Sequence, residues 1–158
     1  MAVSIVGSRL DYCNSLLYGT TERNFDRLQR VQNILARAVL QASWSASAHG
    51  LLQELHWLPV RQRVRFKVAA VTFKAKYCGL PAYLGDDLRD YQPARTLRSS
   101  TAPQLQRPQS VTAFASRAFT IAAPIVWNSL SANARSADSL TCFKRRLKSE
   151  LFATAYAT

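Results

Sequence analysis

Apolar residues recur along this chain mainly at helical spacing, and reading them in order predicts a succession of amphipathic helices. Leu10, Cys13, Leu16 and Leu17 mark a short helix over Ser8–Tyr18, ended by Gly19. Val3, Ile5 and Val6 continue the apolar pattern upstream with no capping residue, so the element can begin before Ser8, with Met1 already inside it. The clearest helix is Thr21–Val39, with Thr20 or Thr21 as its cap and Glu22 favourably placed near the positive end of its dipole. At about 100° per residue, Phe25, Leu28, Val31, Leu35 and Val39 form one stripe, and Arg23, Arg27, Arg30 and Arg37 gather on roughly the opposite side. A Ser- and Ala-rich linker, 41–50, carries Trp44 as its only large residue.

A short helix over Leu51–Leu55 gives way to His56-Trp57-Leu58-Pro59, and Pro59 suits the start of the next helix, Val60–Cys78, which Gly79 and Pro81 end. That helix has two apolar faces. Val60, Val64, Val68, Val71 and Ala75 form one, and Phe66, Ala70, Phe73 and Tyr77 the other. Basic seams run between them: Arg61, Arg65 and Lys76, and Arg63, Lys67 and Lys74. A helix apolar on two faces is packed on two sides, so 60–78 is expected to be the central helix. A further short helix is predicted over Ala82–Leu88.

From Tyr91 to Ala113 the periodicity fades under Pro93, Pro103 and Pro108, which predicts a long loop or extended arm with at most one short strand near Leu105. Pro124 then stands near the start of a short helix holding Trp127. Asp138 or Ser139 caps a final helix to about Phe152, with Leu140, Phe143, Leu147 and Leu151 as its core stripe and Lys144, Arg145, Arg146 and Lys148 outside. There is no internal repeat. The expected fold is mainly α: an irregular bundle of about five to six helices with a proline-rich basic arm and at most one short strand or hairpin. The expected organisation is a single module over 1–158, divided into a helical core at about 8–90, the arm at about 91–113 and a C-terminal helical part at about 114–153.

Composition supports a folded chain. Of 158 residues, 48% are apolar, enough to build a core. The longest apolar runs, such as Val68–Phe73, interrupted only by Thr72, are far shorter than a membrane span. Residues 1–7 lack the basic start of a secretion signal, so a soluble cytoplasmic or nuclear protein with no membrane partner is expected. Charge changes the picture most. Lys and Arg number 21 against nine Asp and Glu, a net +12, which suits a polyanionic partner such as nucleic acid. Residues 91–137 hold no acid but five arginines: Arg95, Arg98, Arg107, Arg117 and Arg135. Cys13, Cys78 and Cys142 show no C-x-x-C spacing, so reduced, mostly buried thiols are expected.

Candidate chemistry is sparse. His49 and His56 stand seven apart with no cysteine or carboxylate at ligand spacing, so structural roles are expected and no metal. There is no G-x-S-x-G nucleophile motif, no phosphate-cradling G-x-x-x-x-G-K-[ST] and no G-x-G-x-x-G, and no cofactor is expected. Asp86 and Asp87 are the most tempting carboxylates, but two-metal chemistry needs several carboxylates converging, and this pair reads as a solvated helix end. What remains are basic ridges on three helices, which suffice for phosphate contacts without sequence specificity. The contacts assigned to a nucleic acid are Arg23, Arg27, Arg30, Arg61, Arg65, Lys144 and Arg145. Tyr18, Trp44, Tyr91 and Trp127 are candidates to stack bases, with Trp127 better suited to the core.

A run of strings also resembles one known family. Ser8-Arg9-Leu10-Asp11-Tyr12-Cys13-Asn14-Ser15-Leu16-Leu17-Tyr18-Gly19, Leu28-Gln29-Arg30-Val31-Gln32-Asn33 and Glu54-Leu55-His56-Trp57-Leu58-Pro59-Val60-Arg61-Gln62-Arg63 are similar to successive blocks of LINE-type (non-LTR, jockey-like) retrotransposon reverse transcriptases. Pro81-Ala82-Tyr83-Leu84, Arg95-Thr96-Leu97-Arg98, Arg117-Ala118-Phe119, Trp127-Asn128-Ser129-Leu130 and Ser139-Leu140-Thr141-Cys142-Phe143-Lys144 follow in the same order. The likeness spans about Ser8 to Phe152 and blurs around 41–50 and 102–111. It implies a truncated thumb and downstream segment of an RNA-directed DNA polymerase polyprotein. The family's catalytic aspartates and endonuclease lie upstream of this region, so no catalytic residue carries over and the chain is expected not to be an enzyme by itself. The implied role is to hold template RNA or target DNA beside the parent polymerase domains. The rival expectations are a structural module docking on the absent polymerase palm, an enzyme in which Asp86 or Asp87 meets a second carboxylate, and a relic of an old insertion without function.

Overall fold

The computed structural model describes residues 2–92, 103–110 and 112–157. The chain is mainly α-helical. Eight α-helices are formed among the described residues: α1 (Ala2–Asp11), α2 (Glu22–Leu40), α3 (Ala48–Glu54), α4 (Val60–Cys78), α5 (Ala82–Asp86), α6 (Phe119–Asn128), α7 (Ala132–Arg135) and α8 (Leu140–Tyr156). The only β-pairing among them is an isolated antiparallel bridge between Asp90 and Leu105. None of these helices is long and apolar enough to cross a membrane.

α2 and α4 match the predicted helices to within a residue, because strong periodicity and clear end signals coincide there. α1 departs from expectation. It begins upstream of Ser8, as the apolar Val3, Ile5 and Val6 indicate, but it stops at Asp11 instead of reaching Tyr18, since Cys13 takes a left-handed φ of 48° that no α-helix tolerates, and Asn14–Leu17 then forms a 3-10 turn. The chain groups into two compact units, 1–64 with 151–158 and 65–150, so the division falls within α4 and within α8 rather than at the ends of the expected arm.

In the unit of 1–64 and 151–158, Phe25, Val60 and Val64 form one buried cluster, packed by Leu17, Tyr18 and Leu28. Ala36, Leu52 and Tyr156 form another, covered by Leu55, Trp57 and Phe152 among others. The buried side of α2 is rotated from the predicted stripe. Gln32 is fully buried there, whereas Val31 and Val39 are 44% and 37% exposed. The cause is the corner at 56–60, which His56 opens with a φ of 52°. Its backbone groups would be buried unpaired without side-chain help. Gln32 Nε2 donates to the Leu58 carbonyl (2.9 Å), the Val60 N–H donates to Gln29 Oε1 (2.9 Å), and the Tyr156 hydroxyl donates to the Trp57 carbonyl (2.6 Å). Polar residues thus occupy the core side of α2 because they hold this corner.

In the unit of 65–150, Phe73, Trp127 and Phe143 build an aromatic core, with ring centroids of Phe73 and Phe143 4.6 Å apart and of Trp127 and Phe143 5.7 Å apart. α6 starts at Phe119, well before Pro124, which lies inside the helix. Of the predicted arm, 93–102 and residue 111 fall outside the described residues, Arg95 and Arg98 with them. The described part near Leu105 is packed rather than extended into solvent. Leu105 is buried, bridges Asp90 on one side, and on the other exchanges two hydrogen bonds with the Asn128 amide (2.9 and 2.8 Å), which imitates a neighbouring strand. Arg135, counted among the acid-free stretch, is buried and donates to the carbonyls of Leu130 and Pro103 at 3.2 Å each. Ser139 caps α8 by accepting from the Cys142 N–H (3.2 Å).

Candidate nucleic-acid interface

α2 supplies the most concentrated basic surface. Arg23, Arg27 and Arg30 follow at i, i+4 and i+7, so they rise along one side of the helix over about 10 Å. All three are exposed, and with Asp26 they line a groove of about 300 Å³. None of the three makes an ion pair among the described residues. The side of α2 that carries them is free because the opposite side is occupied by the corner described above.

Arg61 is placed differently. It stands in the first turn of α4, forms an ion pair with Glu22, and lies with its guanidinium carbon 4.5 Å over the Phe25 ring. Its side chain remains about half exposed. Arg63 pairs with Asp11 at 3.4 Å. Arg37 is drawn away from the ridge, donating to the Ala46 carbonyl (3.1 Å) and lying 5.7 Å from the centre of the Trp44 ring. Trp44 itself is 75% exposed, whereas Trp127 is wholly buried and Tyr18 packs against the Phe25 cluster. In the other unit, Arg65 donates to Ser129 Oγ (2.9 Å), Arg146 donates to the Asn133 carbonyl (2.7 Å), and Lys144, Arg145 and Lys148 are exposed along α8. The seven assigned residues therefore divide, with Arg23, Arg27, Arg30 and Arg61 in one unit and Arg65, Lys144 and Arg145 in the other.

The remaining titratable groups have structural settings. His49 meets Tyr156 edge-on at 4.9 Å and His56 lies 5.5 Å from Phe152. Asp86 and Asp87 are exposed at the end of α5, Asp90 pairs with Lys76, and among the described residues no three His, Cys, Asp or Glu side chains converge. The cysteines are free, but the expectation that they are mostly buried is wrong: Cys13 and Cys78 are exposed and Cys142 partly so. Cys13 stands at the break after α1 and Cys78 at the last position of α4, where the chain leaves the core.

Burial pushes the Tyr156 hydroxyl up to about 12 from its ordinary 10. A tyrosine that holds its proton more firmly when folded contributes stability below pH 10 and loses it as pH rises from about 10 to about 12. Unfolding midpoints measured across pH 9–12 are expected to fall more steeply for the native chain than for Tyr156→Phe. Parallel curves would remove Tyr156 as the source.

Sequence reading could not find two features here: the groove around Asp26, which needs the fold, and the diversion of Arg37, which depends on where the 41–47 loop returns. No protein-family model, curated protein or solved structure matches the chain.

Proposed function

We propose that this chain is a non-catalytic, phosphate-binding segment of a LINE-type RNA-directed DNA polymerase polyprotein, and that it holds template RNA or target DNA through its basic ridges. The observation that carries the reading is the α2 ridge: three exposed arginines in one groove, without ion pairs among the described residues, in a chain of net charge +12. The ordered blocks from Ser8 to Phe152 support the parent family. Guanidinium groups suit this work because they donate to phosphate in a planar fork and stay charged at any physiological pH.

The test is binding of the purified chain to duplex DNA and single-stranded RNA across a salt series. Each phosphate neutralised contributes about 0.9 to the slope of log affinity on log salt for duplex DNA. Engagement of the α2 ridge alone gives a slope of about −3, and of all seven residues about −6. A folded chain with no affinity at low salt would end this reading. It would favour a docking module instead, for which Val31 and Ile34, 44% and 49% exposed on α2, are the supporting observation.

A further inference from the structure

α2 borders a second concavity besides the arginine groove, and the two share one side chain. This pocket, of about 350 Å³, lies within the unit of 1–64 and 151–158, between α2, the start of α3 and the start of α4. Asp26 lines both it and the groove of Arg23, Arg27 and Arg30. Its volume is at the low end of the roughly 300–1,000 Å³ that small-molecule sites occupy, which suits one nucleoside and not a stacked run of bases.

The lining has the chemistry of a base site. Gln29 is fully used, since its Oε1 accepts from Val60 and its Nε2 donates to Gln32 and Asn33. By contrast, Asp26, Asn33 and Gln62 line the same space, and the Asp26 carboxylate, the Asn33 Nδ2 donor and the Gln62 amide have no hydrogen-bond partner among the described residues. Donors and acceptors without partners beside flat surfaces are what the edge and face of a nucleobase require. The flat surfaces are the exposed ring of His49, braced edge-on by Tyr156, and the guanidinium of Arg61, held over Phe25. An apolar ligand would bury these polar groups unpaired, and a bare phosphate would meet the Asp26 carboxylate with like charge.

We infer that the pocket takes one unstacked base of a single-stranded nucleic acid whose neighbouring phosphates lie on Arg23, Arg27 and Arg30. Asp26 is the divider. It repels phosphate from the pocket and accepts from the ring N–H or exocyclic amino group of the base. A base inside a duplex cannot enter without leaving its stack, so the pocket adds affinity for single strands only. This inference rests on the phosphate-binding reading above, and its test separates the two.

The native chain is titrated with a short single-stranded RNA of mixed sequence, with an oligomer of the same length built from abasic residues, and with duplex DNA. The intact strand is expected to bind about tenfold more tightly than the abasic one. Joint replacement His49→Ala and Gln62→Ala should close most of that gap while leaving duplex affinity and the salt slope unchanged. Asp26→Asn should also narrow the gap, yet hold or raise affinity for duplex and abasic strand, a result that mere loss of folding does not produce. Equal binding of intact and abasic strands by the native chain would overturn the base pocket and leave the phosphate ridge standing. No binding of any of the three would overturn both. A free nucleoside monophosphate that displaces the strand at a concentration matching the strand's own would reassign the pocket to free nucleotides and overturn the strand proposal.

Discussion

Replacing Arg23, Arg27 and Arg30 together by glutamine is expected to weaken duplex DNA binding on the order of 10²-fold near 0.1 M salt and to flatten the salt slope by about 3 units. On single-stranded RNA the slope should flatten by about 2 units, because a single strand releases fewer counterions per contact. The size follows from the ridge's freedom. These arginines make no ion pair among the described residues, so a phosphate has no protein carboxylate to displace, and neighbouring Asp26 is the only acid in their groove. Glutamine has nearly the helix propensity of arginine, so α2 should keep its form and its thermal midpoint. Arg61→Gln is the informative contrast. Arg61 already pairs with Glu22, so a phosphate must compete there, and its loss should change the slope by less than one unit. A triple variant that keeps native affinity and slope would remove the α2 ridge from the interface.

Trp127→Ala is expected to lower stability by about 3–5 kcal/mol, read by chemical denaturation with helical circular dichroism as the signal. Trp127 is wholly buried, meets the rings of Phe73, Tyr77 and Phe143 at 6.4, 6.1 and 5.7 Å, and donates its indole N–H to the Pro103 carbonyl (3.1 Å). Alanine would remove the largest side chain of this core and leave a cavity between helices that cannot close over it without losing their other contacts. Against a typical total of about 5–15 kcal/mol, that loss leaves the unit marginal or unfolded at 37 °C. Trp127→Phe should lose only about 1–2 kcal/mol. The ring stack survives, and the Pro103 carbonyl keeps a donor in Arg135 Nη1 (3.2 Å). Equal losses for the two variants would show that the indole hydrogen bond, and not ring volume, holds this core.

Those two sites were unequally visible from sequence. The α2 arginines could be read at once, because helical spacing puts i, i+4 and i+7 on one side whatever the rest of the chain does. Trp127 could be expected in the core, but its partners could not, since Pro103 lies 24 residues away through a proline-broken stretch. The predicted stripe of α2 shows where periodicity misleads. Counting Val31 and Val39 as core follows hydropathy, yet both are partly exposed, while Gln32, outside that stripe, is buried and donates to the Leu58 carbonyl. The 91–113 stretch reads as a loop or arm with one short strand at most near Leu105; Leu105 does make an isolated antiparallel bridge to Asp90, but its other partner, the Asn128 amide, which imitates a neighbouring strand, could not be read from sequence.

Sequence alone determined the helical class, the limits of α2 and α4, and a net charge of +12. These are properties of neighbours a few residues apart and of simple sums, so no distant contact is needed to settle them. The tertiary structure decided which polar residues are buried, which arginines make no ion pair among the described residues and which are tied to Glu22, Asp11 or a backbone carbonyl, and that Asp26 lines both the groove of Arg23, Arg27 and Arg30 and the pocket beside it. Each of these depends on where a backbone group or side chain some 10 to 60 residues away comes to lie, and the energy of an unpaired buried polar group is felt only once the chain has closed around it.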